Sequence, residues 1–187
     1  MQTSTSLMIF WRLRLDALLA MIVLGIDPGI ANTGYGFIKA ESSTFSLLDF
    51  GCIQTSPKDE STQRLKAIYD ELIQLASEYQ PEFFALEDLF FSKNVSSAFA
   101  VGEARGVIKL VAANTDRQLY NYPPVQVKEA VVGYGKASKR QVQEMVKLLL
   151  RLKEIPRPDH AADALAVAIC HARSYKILQL RERHLKS

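Results

Sequence analysis

Residues 83–89, FFALEDL, constrain the fold more than any other part of this 187-residue chain. The run is apolar on both of its alternating faces, which is typical of a central strand in a layered α/β sheet. Two acidic residues, Glu87 and Asp88, stand near its end. A carboxylate in a core strand is costly when it is buried unpaired, so Glu87 needs a cation or an opening to solvent.

Strands and helices are predicted along the chain from the spacing of its apolar residues. The predicted strands are residues 21–27, 34–40, 45–55, 83–89 and 118–122. The predicted helices are residues 61–79 and 95–113, followed by two or three more, of which the last begins at Pro158. Three antiparallel strands followed by alternating helices and strands predict a mixed five-stranded sheet with helices on both faces, the ribonuclease H-like layout.

Length and composition bound the class of protein. A chain with 48% hydrophobic and 23% charged residues is typical of one folded domain and excludes overall disorder. Cys52 and Cys170 lie far apart in apolar runs, so we expect reduced thiols and a cytoplasmic location.

Residues 1–20 fit neither a signal peptide nor a membrane helix, and we expect an extension outside the fold. Residues 174–187 are predicted to be a basic tail, either a frayed helix or an accessory phosphate-binding segment.

The net charge of +3 is a near cancellation of two oppositely charged parts of the chain. Residues 21–124 carry eight basic and thirteen acidic side chains, whereas residues 125–157 carry eight basic and three acidic ones. A metal-dependent enzyme that acts on a polyanion needs this combination, because carboxylates hold cations and lysines hold phosphates. A solvated, lysine-rich helix face is the alternative, and composition alone does not separate the two.

Three acidic residues and a histidine stand at the ends of predicted core elements. Asp27 ends the first strand and converges with Glu87 if the first and fourth strands are neighbours. His160 and Asp163 lie three positions apart on one face of the last helix, where small alanines allow close packing on the sheet. Three carboxylates this close need a counter-cation, and oxygen ligands favour Mg²⁺ or Mn²⁺ over zinc. The alternative is three unrelated surface acids, with Asp27 in a turn-forming Asp-Pro-Gly.

Five segments together resemble the RuvC family of bacterial Holliday junction resolvases. They are GIDPGIANTGYG (25–36), ALEDLFF (85–91), GEARG (102–106), VVGYGKASKRQVQ (131–143) and DHAADALA (159–166). The likeness in order and spacing runs from Met21 to about Arg173, which makes residues 21–173 the expected nuclease domain. The resemblance implies an endonuclease that nicks two like-polarity strands of a four-way DNA junction symmetrically, leaving 5′-phosphate and 3′-hydroxyl ends.

The resemblance also implies a catalytic site, a cofactor and partners. Asp27, Glu87 and Asp163 match the family's metal-binding carboxylates, and His160 occupies a fourth position, open between metal ligand and general base. An exposed histidine without a role in the site is the alternative for His160. Two Mg²⁺ ions about 4 Å apart are expected in each site, with Mn²⁺ as a substitute. The implied partners are four-way junction DNA, a second copy of the chain in a homodimer, and the branch-migration motor of RuvA and RuvB.

Contacts with DNA are implied in the basic part of the chain and after the fourth strand. The basic residues that match or extend family lysines near the scissile strand are Lys128, Lys136, Lys139 and Arg140. Phe90 matches an aromatic residue that stacks on an unpaired base at the junction centre, although Phe91 competes for this role. Gly102 and Gly106 weaken a helix unless something packs closely there. The resemblance assigns that helix to the dimer interface; a close helix-to-sheet contact within one chain is the alternative.

Two other classes of function stay open on the sequence alone. An actin-like phosphotransferase also begins with a strand, an aspartate and a glycine-rich turn, but its nucleotide cleft needs two domains, for which this chain is short. A non-catalytic DNA-binding module would use the basic patch without needing Asp27, Glu87 and Asp163, whose retention in register speaks against it.

Overall fold

A computed structural model describes residues 20–41, 44–88 and 95–185. Its strands are β1 (Met21–Asp27), β2 (Asn32–Glu41), β3 (Thr44–Gln54), β4 (Phe83–Glu87) and β5 (Gln118–Tyr122). Its helices are α1 (Ser61–Tyr79), α2 (Val95–Asn114), α3 (Pro124–Val132), α4 (Lys139–Leu149) and α5 (Asp159–Leu185). The expected N-terminal extension lies outside the described residues, apart from Ala20.

The five strands form one mixed sheet in the order β3-β2-β1-β4-β5. β1 pairs with β2 in antiparallel register and with β4 in parallel register, and β5 continues the parallel part. β1 and β4 are therefore neighbours in the middle of the sheet, which meets the condition for Asp27 and Glu87 to converge. The topology confirms the ribonuclease H-like layout.

Helices cover both faces of the sheet because β1 and β4 present apolar side chains on both sides. On one face α1 and α2 pack over a core that includes Leu24, Ile26, Phe84 and Leu86. On the other face α3, α4 and α5 pack over Val23, Ala85 and a run of apolar residues in α5. α5 lies across β1 and β2, and this placement decides which side chains reach the end of β1.

Several element boundaries differ from the prediction by one or two residues, and β4 ends at Glu87 rather than at residue 89. β2 begins at Asn32 rather than residue 34, because Asn32 and Thr33 pair with the end of β3. α5 continues through Arg173 to Leu185, so no break in secondary structure marks the expected start of the basic tail. Among the described residues, no helix is long and apolar enough to cross a membrane.

Candidate active site

The ends of β1 and β4 bring two carboxylates together. Asp27 is the last residue of β1, Glu87 is the last residue of β4, and the residues just before them, Ile26 and Leu86, are register partners. Because the two strands are parallel neighbours, both acids stand at the same edge of the sheet. The Asp27 side chain is only 16% exposed.

Glycines in β1 and β2 allow α5 to lie directly on the sheet at this edge. A Cβ added to Gly25 would stand 2.0 Å from the Ala164 carbonyl oxygen, and one added to Gly34 would stand 2.1 Å from the His160 carbonyl oxygen. No other residue fits such a close backbone approach. Gly34 is also the register partner of Asp27, so this contact sets the start of α5 beside the end of β1.

α5 contributes a histidine and a third acid to the same edge of the sheet. His160 Nδ1 lies 2.7 Å from Asp27 Oδ2, within hydrogen-bond distance. Asp163 follows one helical turn later, close enough for its charge to raise the pKa values of both Asp27 and Glu87. The structure thus brings together the four residues that the sequence singled out, from two strands and one helix.

The surroundings of the two strand-end acids disfavour their ionised forms. Burial, followed by the charges of Asp27 and Asp163, raises the pKa of Glu87 to about 7. Burial also raises the pKa of Asp27, although the hydrogen bond with His160 opposes this change. At neutral pH Glu87 is therefore partly protonated, and an added cation would relieve the repulsion among these carboxylates.

Lys139 supplies positive charge to the α5 side of the site. Its Nζ lies 2.8 Å from Asp163 Oδ2 and 3.6 Å from Asp159 Oδ2. α4 begins at this lysine because Ser138 caps it and forms a reciprocal capping box with Gln141. The cap holds Lys139 in the first turn, opposite the first turn of α5.

The donor set suits a hard divalent cation. Asp27, Glu87 and Asp163 offer carboxylate oxygens, which Mg²⁺ and Mn²⁺ prefer. In residues 20–41, 44–88 and 95–185, no three His, Cys, Asp or Glu side chains already form a closed metal-binding cluster. Lys139 and His160 instead hold the oxygens of Asp163 and Asp27. A cation that binds between the acids would take over part of these contacts.

The other residues predicted to bind DNA are distributed around the site. Lys128 lies on α3, Lys136 lies exposed in the connection before α4, and Arg140 is exposed in the first turn of α4, where it pairs with Glu144 at 3.3 Å. Of the predicted basic residues, Lys139 is the one with a hydrogen bond to a site carboxylate among the described residues. Phe90 and Phe91 lie outside the described residues.

One residue near the site was missed by sequence reasoning. Arg105 of α2 is buried and donates hydrogen bonds to the backbone carbonyl of Glu87, to Asp88 and to Asn121. The sequence interpretation of the GEARG segment uses only its glycines. An arginine between Ala104 and the apolar positions that follow also indicates a charged side chain on the buried face of a helix. A charged residue on the buried face of a helix needs a specific partner.

Comparison with known proteins gives a consistent result. The sequence model of the family described as crossover junction endodeoxyribonuclease RuvC matches residues 23–171. The crossover junction endodeoxyribonuclease RuvC of Alkaliphilus metalliredigens is 56% identical over 154 residues, which cover 82% of this chain and 94% of that protein. Its counterpart from Halothermothrix orenii is 49% identical over 157 residues, which cover 84% of this chain and 95% of that one.

Solved structures agree with the sequence relatives. The structure of Thermus thermophilus RuvC in complex with a Holliday junction substrate superposes with a TM-score of 0.82 at 37% identity, covering 84% of this chain and 96% of that one. Because the family model matches most of the chain and relatives of about 50% identity carry the same description, the chain belongs to the RuvC family of crossover junction endodeoxyribonucleases, the Holliday junction resolvases.

Proposed function

We propose that this endonuclease cleaves Holliday junctions at the site formed by Asp27, Glu87, His160 and Asp163. The observation that carries the proposal is the meeting of Asp27 and Glu87 at adjacent strand ends, with both pKa values raised by burial. Acids whose pKa values are raised by burial and by like charges are typical of functional sites. A purely structural role would not need two such carboxylates side by side.

Asp27, Glu87 and Asp163 would hold the divalent cations that the reaction needs. We propose Mg²⁺, in two ions per site, with Mn²⁺ as a substitute, because all three donors are hard carboxylate oxygens. Bound at a phosphodiester, such ions activate water and stabilise the leaving oxygen. The raised pKa of Glu87 supports this role, because a cation replaces the proton that Glu87 otherwise retains near neutral pH.

His160 would accept the proton of the attacking water. Its Nδ1 faces Asp27 Oδ2, and a neutral ring that donates its Nδ1–H to this carboxylate keeps a lone pair on Nε2. The side chain is 44% exposed, so the ring is open to solvent. During hydrolysis Nε2 takes the proton as the water oxygen bonds to phosphorus, the bond from phosphorus to O3′ breaks, and O3′ takes a proton from solvent. The products are a 5′-phosphate and a 3′-hydroxyl.

The basic residues around the site would bind the junction backbone. Lys139 pairs with Asp163 in the free protein, and we propose that it turns to a phosphate oxygen when cations occupy the carboxylates. The charge of the surrounding segment supports this role, as do its further proposed contacts, Lys128, Lys136 and Arg140. Phe90 is proposed to stack on an unpaired base at the junction centre.

One face of α2 supports the proposal of a homodimer. Gly102 and Gly106 lie on this exposed face, and an added Cβ at either position would meet nothing within 4 Å among the described residues. Phe99 and Leu110 lie on the same face and are 73% and 52% exposed. In the described part of the chain, no close packing accounts for the two glycines, which supports the interface over the alternative of a helix-to-sheet contact. An apolar, glycine-containing helix face of this kind suits contact with a second copy, which would give two sites for symmetric nicking.

Sedimentation tests the homodimer separately from catalysis. We expect Gly106→Arg to shift the protein from dimer to monomer, because a long charged side chain would stand in the centre of the proposed interface. A Gly106→Arg protein that stays dimeric would contradict the use of this face. Cooperation with the RuvA and RuvB motor and a cytoplasmic location complete the proposal, as expected for a nuclease that acts on recombining chromosomal DNA.

A matched panel of DNA substrates tests the proposed reaction. A synthetic four-way junction and a linear duplex of the same arm sequence are incubated with the protein in Mg²⁺, in Mn²⁺ or with EDTA. We expect paired nicks in the junction with either cation, ligatable ends, and no cleavage of the duplex. Cleavage in EDTA, or equal cleavage of the linear duplex, would contradict the proposal.

A further inference from the structure

Arg105 places a guanidinium group where α2 packs against the sheet. The residue is only 8% exposed, and it follows Ala104 and precedes Ile108, both fully buried. Removing a charged group from water is unfavourable unless the group is paired and its donors are satisfied. Its position therefore requires specific acceptors nearby.

The acceptors lie at the ends of two adjacent parallel strands. Nη1 of Arg105 donates to the backbone carbonyl of Glu87, and Nη2 lies 2.9 Å from both Asp88 Oδ1 and Asn121 Oδ1. Asn121 belongs to β5, next to the register partner of Glu87, Tyr122. One planar guanidinium thus joins the end of β4 to the end of β5, a geometry that its rigid fork of donors favours.

Arg105 reaches Glu87 from the face of the sheet opposite to the proposed catalytic centre. α2 packs with Leu86 in the core of its own face, whereas the Glu87 carboxylate interacts with Asp27 and Asp163 on the α5 side. Arg105 therefore holds the peptide of Glu87 from behind, while the side chain of Glu87 points to the site. Movement of this peptide would move the carboxylate.

We propose that Arg105 is a positioning residue that holds the Glu87 carboxylate ready for cation binding. The inference rests on the proposed role of Glu87 as a metal ligand. Partners that orient a metal ligand commonly change metal affinity or activity about 10- to 100-fold when they are removed. A salt bridge that serves stability alone would lower the melting temperature and leave the cation affinity of the folded protein unchanged.

The test measures cation binding directly in the full chain. Mn²⁺ binding without DNA is followed by the electron paramagnetic resonance signal of free Mn²⁺, and junction cleavage is followed over a Mg²⁺ titration. For Arg105→Met we expect about 10-fold weaker Mn²⁺ binding and a similar increase in half-saturating Mg²⁺, with unchanged junction binding in EDTA. Arg105→Lys should recover part of the loss, because an ammonium can still reach one acceptor.

Arg117→Met serves as the matched control, because Arg117 is an arginine that pairs with Gln80 at an exposed position. It should behave like the parent protein. If Arg105→Met is folded and binds Mn²⁺ as tightly as the parent protein, the inference is wrong.

Two milder variants keep the inference testable if Arg105→Met does not fold. Asp88→Asn and Asn121→Ala each remove or weaken one acceptor, and both should weaken Mn²⁺ binding in the same direction by a smaller factor. Parent-like Mn²⁺ binding in both would overturn the inference. Glu87→Gln distinguishes a failure of the positioning role from a failure of the proposed metal ligand. If Glu87→Gln loses Mn²⁺ binding while the Arg105, Asp88 and Asn121 variants keep it, only the positioning role is wrong. Unchanged Mn²⁺ binding in Glu87→Gln would overturn the proposed ligand as well.

Discussion

His160 Nδ1 and Asp27 Oδ2 lie 2.7 Å apart, although 133 positions separate the two residues in the chain. The contact fixes the orientation of the imidazole ring and leaves its other nitrogen for chemistry. It exists because Gly34, the register partner of Asp27, allows the first turn of α5 to approach the sheet backbone. The strand, the glycine and the helix therefore act together to orient this imidazole ring, the proposed general base.

Replacement of the imidazole ring tests the role of His160. We expect His160→Phe to lower the single-turnover cleavage rate about 10²- to 10⁴-fold at saturating Mg²⁺, because the phenyl ring has no nitrogen lone pair to accept the proton of water. Junction binding in EDTA and the half-saturating Mg²⁺ concentration should stay like those of the parent protein. Cleavage by His160→Phe at the rate of the parent protein would remove the general-base assignment.

Glu87 should make the metal-free protein less stable at alkaline pH. Its folded-state pKa of about 7 lies above the ordinary 4.5, so the folded protein holds this proton more tightly than the unfolded chain does. The resulting stability is complete below about pH 4.5 and is lost as the pH rises through about 7. Glu87→Gln keeps this one side chain neutral at every pH, and we expect a gain of about 1–3 kcal/mol in the free energy of unfolding at pH 8.

Urea unfolding in EDTA at pH 5 and pH 8 measures this effect. Glu78→Gln, a substitution of an exposed glutamate on α1, is the matched control and should change the free energy of unfolding little at either pH. Equal stability of Glu87→Gln and the parent protein at pH 8 would mean that Glu87 is not held in an environment that disfavours its charge.

His171 should make the fold sensitive to acid. Burial lowers the pKa of His171 to about 4, and its Nδ1 lies 2.7 Å from the Tyr122 hydroxyl. Below about pH 6.5 the unfolded chain gains a proton that the folded protein does not, so stability falls as the pH drops from about 6.5 to about 4, by up to about 3 kcal/mol. Unfolding is best measured in the Glu87→Gln background, which lacks the opposing dependence of Glu87. His171→Phe should reduce the loss of unfolding free energy as the pH is lowered. An equally steep loss in His171→Phe would mean that other groups cause the acid sensitivity.

Gly34→Ala should disturb both stability and cleavage. The new Cβ would meet the His160 carbonyl oxygen at 2.1 Å, so α5 must move away from the sheet. We expect a loss of about 1–3 kcal/mol in the free energy of unfolding, as is common for overpacked cores, together with a large loss of cleavage. Thermal unfolding and the junction assay measure the two effects. Gly102→Ala, where the added methyl meets no described residue within 4 Å, is the control for thermal unfolding only and should not destabilise the isolated chain. Parent-like cleavage by Gly34→Ala would contradict the positioning role of this contact.

Much of the fold could be predicted because local patterns determine it. The strand at 21–27, the helix at 61–79 and the strand at 118–122 form with the predicted bounds, since each is a continuous periodic run. β2 begins two residues before its predicted start because its first pairs depend on β3, a partner that the pattern of one strand does not reveal.

The candidate site also has features that the sequence predicts and features that it does not. Asp27 and Glu87 could be expected at one edge because both end strands of apolar character, and parallel neighbours end together. The pairing of Lys139 with Asp163 and the contacts of Arg105 could not be expected, because each joins elements whose relative placement follows from packing. The alanines in the first turns of α5 predicted its close packing on the sheet. The glycines of β1 and β2 that contact the α5 backbone could not be interpreted until the structure showed their partners.

The central claim, that Asp27 serves the chemistry of cleavage, is tested most directly by Asp27→Asn. The variant is assayed for Mg²⁺-dependent nicking of a synthetic four-way junction and, in EDTA, for junction binding. Asp70→Asn, on the exposed side of α1, is the control for the same chemical change. We predict that Asp27→Asn binds the junction like the parent protein and does not nick it, whereas Asp70→Asn does both. Nicking by Asp27→Asn at the rate of the parent protein would contradict the account.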